Sequence, residues 1–181
     1  TLAIVGATGA GKSTLVNLLG RFYEIWEGQI LLDGVDIRKI KLKELREHLA
    51  VVLQDVFLFS DSIYNNITLN KDIDHEEVAE AAAFIGVSDF IESLPDQYNY
   101  NVQERGNMLS VGQRQLLSFL RAYVAKPSVL ILDEATSSID SESEQAIQEA
   151  TDKLTQGRTS VVIAHRLATI KNADKILVMD K

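Results

Sequence analysis

Hydrophobic positions along this chain follow two periods, and the switches between them outline the elements. Residues 1–5 form an apolar run, followed by a glycine-rich turn and a helical pattern over 12–21. Residues 29–32 and 35–37 flank Asp33-Gly34, a hairpin signal because Asp-Gly tolerates the positive φ of a tight turn. Apolar residues at helical spacing occupy 42–49, and 51–53 returns to strand character. From 74 to about 93 the pattern predicts one helix, with Val78, Ala81, Ala82 and Ile85 on one face. Residues 96–107 are polar and turn-rich, and a longer helix over 110–125 stops near Pro127.

The last third alternates. Strand 129–132, helix 142–154, strand 160–163, short helix 167–170 and strand 175–178 follow one another. Alternating strands and helices predict an α/β fold with a mainly parallel sheet. The stretch between Gln54 and Ala125 has no strand of comparable strength. We therefore expect a core of residues 1–53 and 126–181, a small antiparallel β element, and an inserted α-helical subdomain over about 55–125.

Composition narrows the picture. Of 181 residues, 46% are hydrophobic and 24% charged, as in ordinary globular domains. No apolar run approaches the roughly 18–20 residues of a membrane-spanning helix. The chain has no cysteine, which excludes disulfides and thiolate metal sites and fits a cytoplasmic setting. A formal charge of −8 argues against nonspecific nucleic-acid binding. The sequence opens without methionine, and both ends cut close to predicted strands, so we expect a piece of a longer chain.

The candidate chemistry begins with Gly6-Ala7-Thr8-Gly9-Ala10-Gly11-Lys12-Ser13-Thr14, which fits G-x-x-x-x-G-K-[ST] between a predicted strand and a predicted helix. Glycines let the backbone curl so that N–H groups face phosphate oxygens, and the helix dipole adds to the attraction. Lys12 would reach the β- and γ-phosphates and Ser13 would ligate Mg²⁺, so a Mg²⁺-nucleotide is the expected ligand. The second feature is the apolar strand ending in Asp133-Glu134. Ligands of open α/β sheets sit beyond the carboxyl ends of strands. There Asp133 would hold Mg²⁺ or its waters, and Glu134 would orient and polarise an attacking water.

Leu109-Ser110-Val111-Gly112-Gln113 resembles the signature motif of ABC ATPases, usually L-S-G-G-Q. Locally, Ser110 occupies an N-cap position and Gly112 allows close approach of a phosphate. Val111 stands where the family has its first glycine, and would be strained if that position needed positive φ. The resemblance covers nearly the whole chain in motif order. It implies a P-loop NTPase core that binds and hydrolyses ATP with Mg²⁺. It also implies that Ser110, Gly112 and Gln113 complete the nucleotide site of a second ABC ATPase domain.

Further matches carry further expectations. Gln54 is similar to the Q-loop glutamine, which contacts Mg²⁺ and water and transmits nucleotide state. Asp140 resembles the D-loop aspartate at the dimer contact, and His165 the switch histidine on the γ-phosphate. Glu104-Arg105-Gly106 is similar to the exporter X-loop, which touches the coupling helices of transmembrane domains. Residues 56–64, with Phe57, Phe59, Ile63 and Tyr64, would form an apolar floor for such a helix. The adenine-stacking aromatic of the family lies upstream of the phosphate loop, and neither Tyr23 nor Trp26 takes that role. The expected function is an export motor at the cytoplasmic face of a membrane. The alternatives are a nontransport ABC ATPase of DNA repair, chromosome organisation or translation, and a P-loop kinase or GTPase.

Overall fold

The computed structural model describes residues 1–133, 141–164 and 167–180, so Glu134, Asp140 and His165 lie outside the described residues. In chain order the elements are β1 (Leu2–Gly6), α1 (Lys12–Leu19), β2 (Leu31–Leu32), β3 (Val35–Asp36), α2 (Leu42–His48), β4 (Leu49–Val52), α3 (Ile63–Thr68), α4 (His75–Ile85) and α5 (Ser88–Glu92). They continue with α6 (Val111–Val124), β5 (Val129–Asp133), α7 (Ser141–Thr155), β6 (Thr159–Ile163), α8 (Leu167–Lys171) and β7 (Lys175–Met179). By contacts the chain divides into two compact units. One holds Thr1–Leu53 with β5, β6, α8 and β7, and the other holds Gln54–Lys126 with α7.

The first unit is built on a five-stranded sheet of order β4-β5-β6-β1-β7, with every neighbouring pair parallel. Its central strands are buried runs: Ala3, Ile4, Leu130 and Ile131 are fully inaccessible. Such continuous apolar strands suit a sheet covered on both faces. Val16 of α1 packs with Ile131 and Ile163, and Leu19, Val51 and Val161 extend that cluster. This packing sets the axis of α1 against β5 and β6, and hence where its N-terminus points. The expected hairpin is present as the two-stranded antiparallel β2–β3 pair.

The second unit is helical, with α6 packed against α3, α4 and α7. Leu116, Leu117, Leu120 and Val124 of α6 are buried at helical spacing. So are Ile147, Ala150 and Leu154 of α7. The sequence division drew the helical subdomain at about 55–125. Contacts group α7 with it because that apolar stripe meets α6 and α4. The single helix expected over 74–93 is two helices. Gly86, at φ 91°, caps α4 in the left-handed conformation and α5 starts afresh at Ser88. No described helix is long and apolar enough to cross a membrane.

Candidate nucleotide site and signature helix

The loop between β1 and α1 uses its glycines for two different reasons. Gly6 pairs with Met179 of β7, and a Cβ built on it would lie 2.3 Å from the Met179 carbonyl oxygen. Only a residue without a side chain lets β1 run that close to β7 at its exit. Gly9 and Gly11 face open or loosely packed space, but have φ of 83° and 94°, where L side chains are strained. The Ala10 N–H donates to the Ala7 carbonyl at 3.1 Å and closes the turn.

Gly11 is the N-cap of α1 and supplies no capping side chain, and the first turn carries no acid. The positive end of the helix therefore has neither a capping side chain nor an acid of its own, an arrangement suited to an external anion. Lys12 donates its ammonium to the carbonyls of Gly6 at 2.8 Å and Ala7 at 3.0 Å, which holds the charge over the loop. Ser13 and Thr14 are exposed just beyond it, as are Ala7 and Thr8.

Asp133 ends β5 opposite Ile163 of β6, and β6 lies between β5 and β1. Because these strands are parallel, Asp133 and Gly6 leave the sheet at the same edge. The Ala164 N–H donates to the Ile4 carbonyl at 2.9 Å and ties the exit of β6 to β1. The glycine loop, the hydroxyl-bearing Ser13 and the carboxylate-bearing Asp133 thus follow the carboxyl-terminal ends of strands of one parallel sheet. That donor set of oxygens suits a hard cation bound with phosphates. Gln54 is exposed and follows β4 by two residues, at the boundary where the second unit begins.

Ser110, Gly112 and Gln113 lie at the head of α6, in the second unit. Ser110 accepts a hydrogen bond from the Gln113 N–H at 3.1 Å, while the Ser110 N–H donates to Gln113 Oε1 at 2.9 Å. This is a reciprocal capping box. The resemblance offers Gln113 as a nucleotide contact; its side chain here caps the helix. The S-x-x-Q spacing was enough to find that role in the sequence. Val111 does not have positive φ, so the β-branched residue sits in the first helical turn without backbone strain. Gly112 is buried. Arg114 braces the approach to the helix by donating to the carbonyls of Leu109 at 2.7 Å and Gly106 at 3.3 Å.

The two segments expected to face a membrane partner are both well defined. Glu104–Gly106 is a 3-10 turn with Arg105 at φ 54° and Gly106 at φ 68°, and Glu104 and Arg105 are exposed. In residues 56–64 the four named side chains separate. Phe57 and Phe59 are each 53% exposed and form an edge-to-face pair with centroids 5.1 Å apart. Ile63 is core, and Tyr64 stacks on His75 at 3.9 Å. The apolar surface is therefore the Phe57–Phe59 pair rather than the whole segment.

Sequence reasoning passed over Arg121. It lies on α6 half-buried, and desolvation works against its charge. It donates to the carbonyls of Asn66 and Phe57 and to the Asn66 side chain. No spacing signal links residues 55 positions apart.

A strand, a glycine turn with a lysine and a helix, in one parallel sheet with an acid-ended strand, define the phosphate-loop class of nucleotide-binding α/β proteins. The comparisons with known proteins go further. The profile of the family described as ABC transporter matches residues 1–137. The chain is 50% identical over 182 residues to an ATP-dependent lipid A-core flippase of Methylobacillus flagellatus, covering 99% of this chain and 31% of that protein. It is also 50% identical over 181 residues to the ABC transporter ATP-binding protein YknV of Bacillus subtilis, which is uncharacterized, covering 99% of this chain and 30% of that one. Among solved structures, a bacterial Atm1-family ABC exporter with ATP bound superposes with a TM-score of 0.89 at 45% identity. That match covers 99% of this chain and 32% of the exporter. This chain belongs to the ABC transporter family and is an ATP-binding domain of that family. It spans about a third of the length of the relatives it matches.

Proposed function

We propose that the chain is the ATP-hydrolysing motor of an exporter and works as a head-to-tail pair of such domains. The observation that supports this best is the presence of two helix starts whose first turns carry no acid. One is the acid-free head of α1 behind the glycine loop, and the other is the head of α6 behind Ser110. One start serves the chain's own nucleotide, and the other is available to a partner's.

In this reading Lys12 exchanges the carbonyls of Gly6 and Ala7 for the β- and γ-phosphates. Their fuller negative charge makes them the stronger acceptors. Gly6, Ala7, Thr8, Gly9, Ala10 and Gly11 wrap the phosphates with backbone N–H groups, and Thr14 extends the cradle into the helix. Ser13, Asp133 and Gln54 would hold Mg²⁺. When bound, the ion neutralises charge that develops on the transferred phosphoryl group. Glu134 orients and polarises the attacking water, and His165 holds the γ-phosphate. Ser110 and Gly112 close on the partner's γ-phosphate, and Asp140 lies at the contact between the two domains. The transported substrate is selected by membrane segments outside this chain. Those segments dock on the Phe57–Phe59 pair and on the turn at Glu104–Gly106.

The test is sedimentation of Glu134→Gln with Mg-ATP and with Mg-ADP, alongside its turnover. We expect a dimer with ATP, a monomer with ADP, and turnover at least ~100-fold below wild type. Normal turnover would remove Glu134 from the mechanism. A monomer with ATP firmly bound would reject the self-paired sandwich.

A further inference from the structure

Residues 56–61 carry Phe57 and Phe59 to the surface, yet they belong to no helix or strand. A segment without a ladder needs other partners for its backbone polar groups. Here two side chains provide them. Asn66, with 1% of its surface exposed, accepts from the Phe59 N–H at 2.8 Å through Oδ1. Its Nδ2 donates to the carbonyls of Phe59 and Ser62, both at 3.0 Å. Arg121 adds the Phe57 carbonyl at 3.2 Å and the Asn66 carbonyl at 2.7 Å. It also reaches Asn66 Oδ1 at 3.4 Å. One planar guanidinium therefore holds the start of the segment and the helix behind it together. An ammonium, as a point donor, cannot reproduce that fork.

The same segment also packs on the turn that leads into α6. Leu58, between the two exposed rings, is 1% exposed and packs on the turn before the signature. A methyl placed on Gly106 would meet Leu58 Cδ1 at 2.8 Å and Arg114 Cδ at 3.2 Å. Arg114 is in the first turn of α6 and Arg121 is two turns further on. Arg121 thus holds the segment directly, while Arg114 braces the Gly106 turn on which Leu58 packs.

We infer that Arg121 and Asn66 are positioning residues that fasten the Phe57–Phe59 surface to α6, so that the helix beginning at Ser110 and the docking surface move as one body. This rests on the proposal that the pair receives a membrane segment. The arrangement makes a displacement of the signature helix a displacement of the dock, with no flexible joint between them. Neither residue touches nucleotide in this scheme.

The experiment uses the full-length protein in lipid vesicles. Amide exchange and ATP turnover are compared for wild type, Arg121→Lys, the double variant Phe57→Ala/Phe59→Ala, and the triple combination. In Arg121→Lys we expect the amides of residues 57–62 to exchange at least ~10-fold faster, as expected for lost bonds to a charged donor. Exchange in α4 and the KM for ATP should stay unchanged. The kcat should change in the same direction and extent as in the double variant, and the triple variant should add nothing further. Unchanged exchange at 57–62 would overturn the fastening, and faster exchange throughout the unit would reduce Arg121 to a general fold contact. If residues 57–62 loosen while the double variant has wild-type kcat, the docking proposal fails and the fastening survives. Asn66→Asp retains the acceptor oxygens but loses the two Nδ2 bonds. It should loosen residues 59–62 more than residue 57, whereas a uniform effect would contradict the division of contacts.

Discussion

The first glycine of the phosphate loop offers a test that separates packing from backbone conformation. At Gly6 an added Cβ would sit 2.3 Å from the Met179 carbonyl oxygen and 3.2 Å from its carbon. Ordinary van der Waals contact needs about 1 Å more, and the opposing atom is backbone, so no rotamer change relieves it. The exit of β1 must separate from β7. Overpacking of this kind costs ~1–3 kcal/mol, and one weakened ladder bond adds roughly 1 kcal/mol. Loss of glycine's unfolded-state freedom returns ~0.4–1 kcal/mol. Gly6→Ala should therefore destabilise the first unit by about 2 kcal/mol, a fall of roughly 4–8 °C in Tm for a chain of this size.

Gly9 makes the matched control. Its added Cβ meets nothing within 4 Å, but its φ is 83°. There the cost is conformational, about 1–2 kcal/mol for Ala and less for Asn, which tolerates the left-handed region. The assay is thermal and urea unfolding of Ala and Asn variants at both positions, without nucleotide. At Gly9, Asn should be milder than Ala; at Gly6, Asn should be no better than Ala. A Gly6→Ala protein within 0.5 kcal/mol of wild type, a bound set by ordinary surface substitutions, would refute the close approach of β1 and β7. A rescue by Asn at Gly6 would show that φ, not space, governs that site.

Three further predictions rest on single features. Ser110→Ala removes the acceptor of the α6 capping box and should cost about 1 kcal/mol, with faster exchange at the Gln113 amide; an unaffected amide would show that the cap is not formed. Ser160 is 1% exposed in β6, and its hydroxyl has no partner among the described residues, so Ser160→Ala should stabilise the domain by ~1 kcal/mol. A destabilised alanine variant, read by urea midpoint, would mean the hydroxyl is satisfied. The side chain and backbone N–H of Arg38 hold the Asp36 carboxyl at about 2, below its ordinary 3.8. A depressed carboxyl stabilises above its unfolded value and loses that contribution as pH falls through the folded one. The turn after β3, capped by Asp36, should therefore keep Arg38 amide protection at pH 4 and lose it near pH 2, and a titration midpoint near 3.8 for Asp36 by NMR would exclude the pairing.

Local chemistry was legible in the sequence because it is contiguous. The loop from Gly6 to Thr14, the acid-ended β5 and the capping spacing of Ser110 and Gln113 each need only neighbours in the chain. Strand and helix periods in the last third likewise announced a parallel sheet. The break at Gly86 was also available, since a glycine inside a helical pattern can cap it, but the apolar stripe on either side outweighed it. What the tertiary structure alone decided depends on distant partners. Gly6 is demanded by Met179, 173 positions away in the chain by the numbering. The strand order that brings Gly6 and Asp133 to one edge comes from non-local pairing. The exposure of Phe57 and Phe59 beside the buried Ile63 is likewise set by tertiary packing. Periodicity reports which residues share a face; only closure of the chain determines what that face meets, and the Arg121–Asn66 contacts exist only once it has closed.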